Sequence, residues 1–100
     1  MEYKHEYGVE LEELIRKVAK DSNKAFMRDF LFDLLSAGEY RDLAIRWQIV
    51  KALEAKIPHR EIAKKLKVSL STINRGVVEL ANKKGGFRTA LEKFIKKPSG

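Results

Sequence analysis

The sequence has no cysteine among its 100 residues, which excludes a disulfide-stapled scaffold and any thiolate-based zinc or redox centre. It has two prolines, Pro58 and Pro98, so helices meet few breakers. Long apolar runs are missing too. The richest stretch, residues 25–35, is interrupted by Arg28, Asp29 and Asp33 and is too short and too charged to span a bilayer. The opening MEYKHEYG is polar and lacks the apolar segment of a secretory signal. A cytoplasmic protein with no membrane partner is expected. No internal repeat or low-complexity segment appears.

Sets of residues that carry chemistry are equally scarce. The two histidines, His5 and His59, stand 54 positions apart, and neither has a nucleophile beside it in the sequence. Glu12 and Glu13 are neighbours in a helical pattern and point in different directions. Neither a glycine-rich phosphate loop nor a metal-ligand spacing is present. The expectation is a protein that is not an enzyme and holds no metal or cofactor of its own.

Hydrophobic residues make up 44% and charged residues 35% of the chain, the balance of one soluble globular domain able to bury a modest core. The net charge of +7 is unevenly spread. Residues 1–37 hold eight acids and six bases, residues 38–57 three acids and four bases, and residues 58–100 three acids and eleven bases. The positive field therefore belongs to the C-terminal part, and a basic half attracts nucleic acid or an anionic membrane surface.

Periodicity predicts six helices and no strand. Val9, Leu11, Leu14, Ile15 and Val18 recur at helical spacing over 8–20. Asp21, Ser22 and Asn23 offer caps for a helix over 23–35, which is apolar almost all round. A helix without a clear polar face needs cover on several sides, more than one small domain supplies, so it is expected to pack against a second subunit. Ser36 and Glu39 match a capping box that opens a helix over 37–56, with Leu43, Trp47, Val50 and Leu53 on one face. Pro58 suits the first position of a fourth helix ending near residue 65. Ser69 is placed to cap a fifth over 69–83, which Gly85 breaks with its permissive backbone. A last helix over 86–97 carries Phe87, Leu91, Phe94 and Ile95.

The fourth and fifth helices read as a helix-turn-helix. The steep crossing needs a small residue on the inner face, supplied by Ala63, and apolar residues on both sides of the turn, supplied by Ile62, Leu66, Val68 and Ile73. Lys67 stands at the turn where glycine is common; a left-handed lysine there would cost about 1–2 kcal/mol. Leu70, Ser71, Thr72 and Asn74 would face outward, and hydroxyls and carboxamides suit base edges in the major groove.

Helix order and the residues HREIA and STINRG resemble the Trp repressor family. The likeness covers about residues 24–95 and is strongest over 49–76. It implies an all-α, six-helix intertwined homodimer in which 8–57 form the dimerisation core, 58–84 the helix-turn-helix and 86–97 a C-terminal dimerisation helix. It implies a nucleoid-associated repressor that binds a palindromic double-stranded operator through His59, Arg60, Leu70, Ser71, Thr72 and Asn74. Arg60 has the planar fork that suits a bidentate contact to guanine, and Lys64 and Lys67 suit phosphates.

The resemblance also implies L-tryptophan as corepressor. Arg46 and Arg75 would sandwich the indole, Gly76 would let the ring approach, and Ser36 with backbone carbonyls near Leu35 would hold the polar end. Three of these residues have a plainer reading: Arg75 as a phosphate contact, Arg46 paired with Asp42, Ser36 as a cap. Two positions depart from the family pattern. Glu79 stands where a serine meets the ligand's amino group, and there a carboxylate either pairs with an ammonium or bonds Arg75. Asp33 replaces an apolar pocket residue. The readings left open are a repressor controlled by tryptophan or a related small molecule, a ligand-independent DNA-binding regulator, and a helix-turn-helix protein-interaction module.

Overall fold

A computed structural model of the chain describes residues 5–95. Those residues form six helices and no strand: α1 (Gly8–Lys20), α2 (Lys24–Leu34), α3 (Ala37–Glu54), α4 (His59–Leu66), α5 (Leu70–Ala81) and α6 (Gly86–Phe94). The all-α expectation holds, and most helix ends fall within two residues of those predicted. The chain divides into two compact units, Met1–Tyr40 and Arg41–Gly100.

In the first unit, α1 and α2 pack on each other and are joined by a relay of side-chain caps. Asp21 Oδ1 accepts the Asn23 N–H at 2.8 Å, and Asn23 Oδ1 accepts the Phe26 N–H at 3.1 Å, satisfying a donor that the first helical turn leaves free. Little is buried here: Val18 is enclosed, whereas α2 encloses no residue. Phe26, Phe32 and Leu34 are exposed, and Phe32 meets the Tyr40 ring edge-on at 5.1 Å. The predicted capping box is formed. Glu39 Oε1 accepts the Ser36 N–H at 2.8 Å, and Ser36 Oγ accepts the Glu39 N–H at 3.1 Å. The Ser36 backbone bond, followed by the Ser36 hydroxyl, holds the Glu39 carboxyl below its usual range.

The second unit holds two apolar cores, which meet at Leu53 of α3. Ile49, Ile62 and Ile73 form one, joined by half-buried Ile45, Leu53, Ala63 and Val68. Val50, Leu80 and Leu91 form the other, with Trp47 and Phe87 beside them. At about 1.5–3 kcal/mol for each large aliphatic side chain removed from water, these residues fix α4, α5 and α6 to α3. Leu43, expected on the same face, is exposed. Arg88 adds a polar clasp: Nη1 lies 2.6 Å from Glu54 Oε2, and Nη2 donates to the Leu80 carbonyl at 3.3 Å.

Three helix ends differ from expectation. Pro58 is the N-cap of α4 and not its first helical residue; its carbonyl accepts from Glu61 and Ile62 N–H. α3 stops at Glu54, because Lys56 turns to φ 64° and the Ile57 N–H reaches back to the Ala52 carbonyl. α5 stops at Ala81, where the Asn82 side chain accepts the Lys84 N–H. Gly85 has an ordinary φ of −74°, so conformational freedom is not its role. It sits close to Asn82, whose carbonyl oxygen would lie 3.2 Å from an added Cβ. The end of the predicted 86–97 helix beyond Ile95 lies outside the described residues.

Candidate functional site

The helix-turn-helix rests on the first core. Ile62 on α4 and Ile73 on α5 are almost wholly enclosed, and Leu66 and Val68 close the turn between them. Lys67 adopts the left-handed conformation at φ 57°, ψ 47°. Its own N–H and that of Val68 return to the Ala63 carbonyl, so the α4 end is satisfied without a glycine. The reversal directs the start of α5 outward.

At that start, Ser69 is the N-cap, its Oγ accepting the Thr72 N–H at 3.2 Å. The same oxygen lies 2.9 Å from Ser71 Oγ and 2.9 Å from Thr72 Oγ1. Leu70, Ser71, Thr72, Asn74 and Arg75 are all exposed, as the outward face requires. Arg60 and Lys64 on α4 and Lys67 at the turn are exposed as well. His59 is exposed at the first position of α4 and borders a separate open cleft with Ile57, Val77, Leu80 and Arg88. Ser69 was foreseen only as a cap. Its link to two further hydroxyls was legible in the S-x-S-T spacing, because residues two and three positions after a cap lie within reach of it.

A cleft of about 380 Å³ opens between α3 and the helix-turn-helix. Arg46 and Arg75 both line it, over apolar Ile45, Ile49 and Val68. Arg41, Asp42 and Thr72 complete its wall and were not anticipated. Asp42 stands one turn before Arg46 and Arg41 one turn before Ile45, and that helical spacing was the available signal. Among the described residues Arg46 forms no ion pair with Asp42, and Glu79 forms none with Arg75.

The remaining ligand candidates are placed differently. Gly76 is buried, and a Cβ there would lie 2.9 Å from Ile49 Cγ2 and 3.2 Å from Leu53 Cδ1. The close approach that calls for glycine is thus made by α3 itself. Glu79 is exposed and does not line the cleft. Leu35 is the half-buried C-cap of α2 and Ser36 the cap of α3, both in the first unit. Asp33 is exposed near the end of α2. No group of side chains suited to a metal ion occurs among the described residues, and no described helix is long and apolar enough to cross a membrane.

Comparison with known proteins gives consistent matches. The family model described as Trp repressor protein matches residues 9–95. A protein of Chlamydia trachomatis serovar L2 named Trp operon repressor homolog is 37% identical over 78 residues, covering 77% of this chain and 83% of that protein. A protein of the same name from Haemophilus influenzae strain KW20 is 43% identical over 61 residues, 60% of this chain and 58% of the relative. No solved structure gives a significant match.

Proposed function

The chain belongs to the Trp repressor family, and from that premise we propose that it is a sequence-specific DNA-binding transcriptional repressor, acting as an intertwined homodimer controlled by tryptophan or a related small corepressor. The observation that carries the DNA reading is the outward face of α5. Hydroxyls, a carboxamide and a guanidinium stand exposed there, in the segment whose net charge is +8 by eleven bases against three acids. Such a face serves no core. Its groups match the donors and acceptors of base edges, and the surrounding cations match phosphates.

In this reading α5 enters the major groove with Leu70, Ser71, Thr72 and Asn74 toward the bases. Arg60 supplies a bidentate contact to guanine, His59 joins at the start of α4, and Lys64 and Lys67 hold phosphates. Two heads in one dimer meet half-sites about one DNA turn apart. The exposed apolar side chains of α2, Phe26, Phe32 and Leu34, support a second copy as their cover, because an unpaired face of this kind stays exposed in a lone chain. We assign 8–57 and 86–97 to dimerisation.

The corepressor would lie between Arg46 and Arg75, whose shared cleft falls within the roughly 300–1,000 Å³ common for small-molecule sites. Its apolar floor of Ile45, Ile49 and Val68 suits a ring. Binding would act by population shift, limited by its differential affinity for the DNA-competent pose of the heads. A second reading, ligand-independent DNA binding, is favoured by two observations: Ile49 and Leu53 already fill the notch at Gly76, and Glu79 lies outside the cleft.

Calorimetric titration of L-tryptophan, with other amino acids as controls and DNA binding followed by anisotropy at two salt concentrations, separates these readings. Saturation at one tryptophan per chain with tighter DNA binding is expected. DNA binding that is steeply salt-dependent but indifferent to tryptophan would select the ligand-independent regulator. Retention of a protein partner with no salt-dependent DNA affinity would select the interaction module. Arg60→Ala should weaken operator binding by about 1–3 kcal/mol and relax preference at one base position.

A further inference from the structure

We propose that Ser69 is a positioning and specificity-determining residue, whose hydroxyl couples Ser71 and Thr72 so that the two present one hydrogen-bond donor and one acceptor-only oxygen to DNA. The inference rests on the DNA-binding reading above and concerns how that face discriminates between bases. It follows from counting protons. A serine hydroxyl has one hydrogen to give and two lone pairs to receive with. One lone pair of Ser69 Oγ is taken by the Thr72 N–H at 3.2 Å. One lone pair and one proton remain for two neighbouring hydroxyls, Ser71 Oγ and Thr72 Oγ1, each 2.9 Å away.

Both neighbours therefore cannot donate to Ser69. One gives its proton inward and keeps only lone pairs for the outside. The other receives the Ser69 proton and keeps its own proton free. Exchanging the two roles requires all three hydroxyls to turn together, and either arrangement leaves one outward donor and one outward acceptor. Ser69, Ser71 and Thr72 are all exposed at the first turn of α5, so this pairing is what an approaching base edge meets.

In the major groove adenine offers a matching pair, the N6 amino donor beside the N7 acceptor, whereas guanine offers two acceptors, N7 and O6. The coupled hydroxyls therefore favour adenine over guanine at the position they face. Without Ser69 Oγ both hydroxyls are free to donate, and that preference disappears.

The experiment is selection of binding sites from a random duplex library by the full chain, comparing wild type, Ser69→Gly and Ser69→Thr, with binding to the selected sites measured base by base. Glycine is tolerated at an N-cap at little cost relative to serine, so Ser69→Gly retains the helix, and circular dichroism checks this. We expect one position in each half-site where wild type prefers adenine to guanine by about tenfold. Ser69→Gly should bring that ratio close to one while other positions keep theirs, and Ser69→Thr should preserve it. A merely structural role would lower affinity uniformly and leave the ratio intact. Ser69→Gly retaining the wild-type ratio at every position overturns the proposal, as does Ser69→Thr losing it. Wild-type protein that enriches no sequence overturns both this inference and the DNA reading beneath it, an outcome distinguishable from the others because it appears before any substitution.

Discussion

The two units of the chain use apolar residues in opposite ways. Arg41–Gly100 encloses Ile49, Val50, Ile62, Ile73, Leu80 and Leu91, each on α3 or on a helix packed against it. Met1–Tyr40 encloses Val18, while Val9, Leu11, Leu14, Ile15, Phe26, Phe32 and Leu34 stay open to solvent. Both segments are helical and rich in apolar residues, so apolar content alone does not decide burial. What differs is the supply of partners. Short connections fold α4, α5 and α6 onto one long helix, whereas α2 is apolar around its circumference and α1 covers one side of it. A repressor of the proposed kind needs both designs: a reading head that holds its shape within one chain, and a core that closes when a second chain arrives.

The sharpest way to break the contrast is to charge the open surface. Phe32→Glu should convert the proposed dimer to a monomer and strip helicity from residues 8–34, seen by sedimentation equilibrium and circular dichroism; an unchanged dimer would show that α2 is not the interface. In the closed unit, Ile73→Ala should cost about 2–5 kcal/mol in chemical denaturation, because the side chain is wholly enclosed between α3 and α4. Gly76→Ala should cost less, about 1 kcal/mol net. Overpacking against the stiff, β-branched Ile49 opposes the substitution, and the better helix propensity of alanine partly offsets it. A stabilised Gly76→Ala variant would mean that Ile49 yields freely.

The smallest effect belongs to the capping box in the first unit. The Glu39 carboxyl is held below its ordinary range by the Ser36 N–H and hydroxyl. Its contribution is therefore present above the unfolded carboxylate range and is lost as pH falls through the lower folded value. Glu39→Gln should flatten the acid limb of a stability-against-pH curve without moving the neutral plateau far. An identical acid limb would remove the box from the pH response.

Much of this was legible in the sequence, for identifiable reasons. Caps are local: Ser36 with Glu39 and Ser69 with Thr72 were foreseeable because the partners lie within one turn. The buried residues of the helix-turn-helix were foreseeable because a three-residue turn leaves few ways to bury Ile62 and Ile73. Helix ends were less so. Pro58 serves equally as N-cap or first residue, and Asn82 ended α5 before the glycines did. The role of Gly76 was the least legible. A glycine inside a helix announces a close approach but not by what, and the side chains responsible, Ile49 and Leu53, lie more than 20 positions away on α3. The cleft posed the same difficulty: the resemblance pairs Arg46 with Arg75, but Arg41 and Asp42 are marked in the sequence only by their helical spacing along α3.

Lys67 joins two demands at one corner. Glycine would take the left-handed turn with no steric penalty, yet it would leave that corner neutral. With lysine, the tightest bend of the reading head carries a positive charge on a long, mobile arm, placed where the proposed interface meets phosphate. Greater stability and firmer grip on DNA therefore pull this single position in opposite directions. The residue found there reads as a compromise: among the variants of this chain, those that gain heat tolerance at the turn should be the ones most easily washed from DNA by salt.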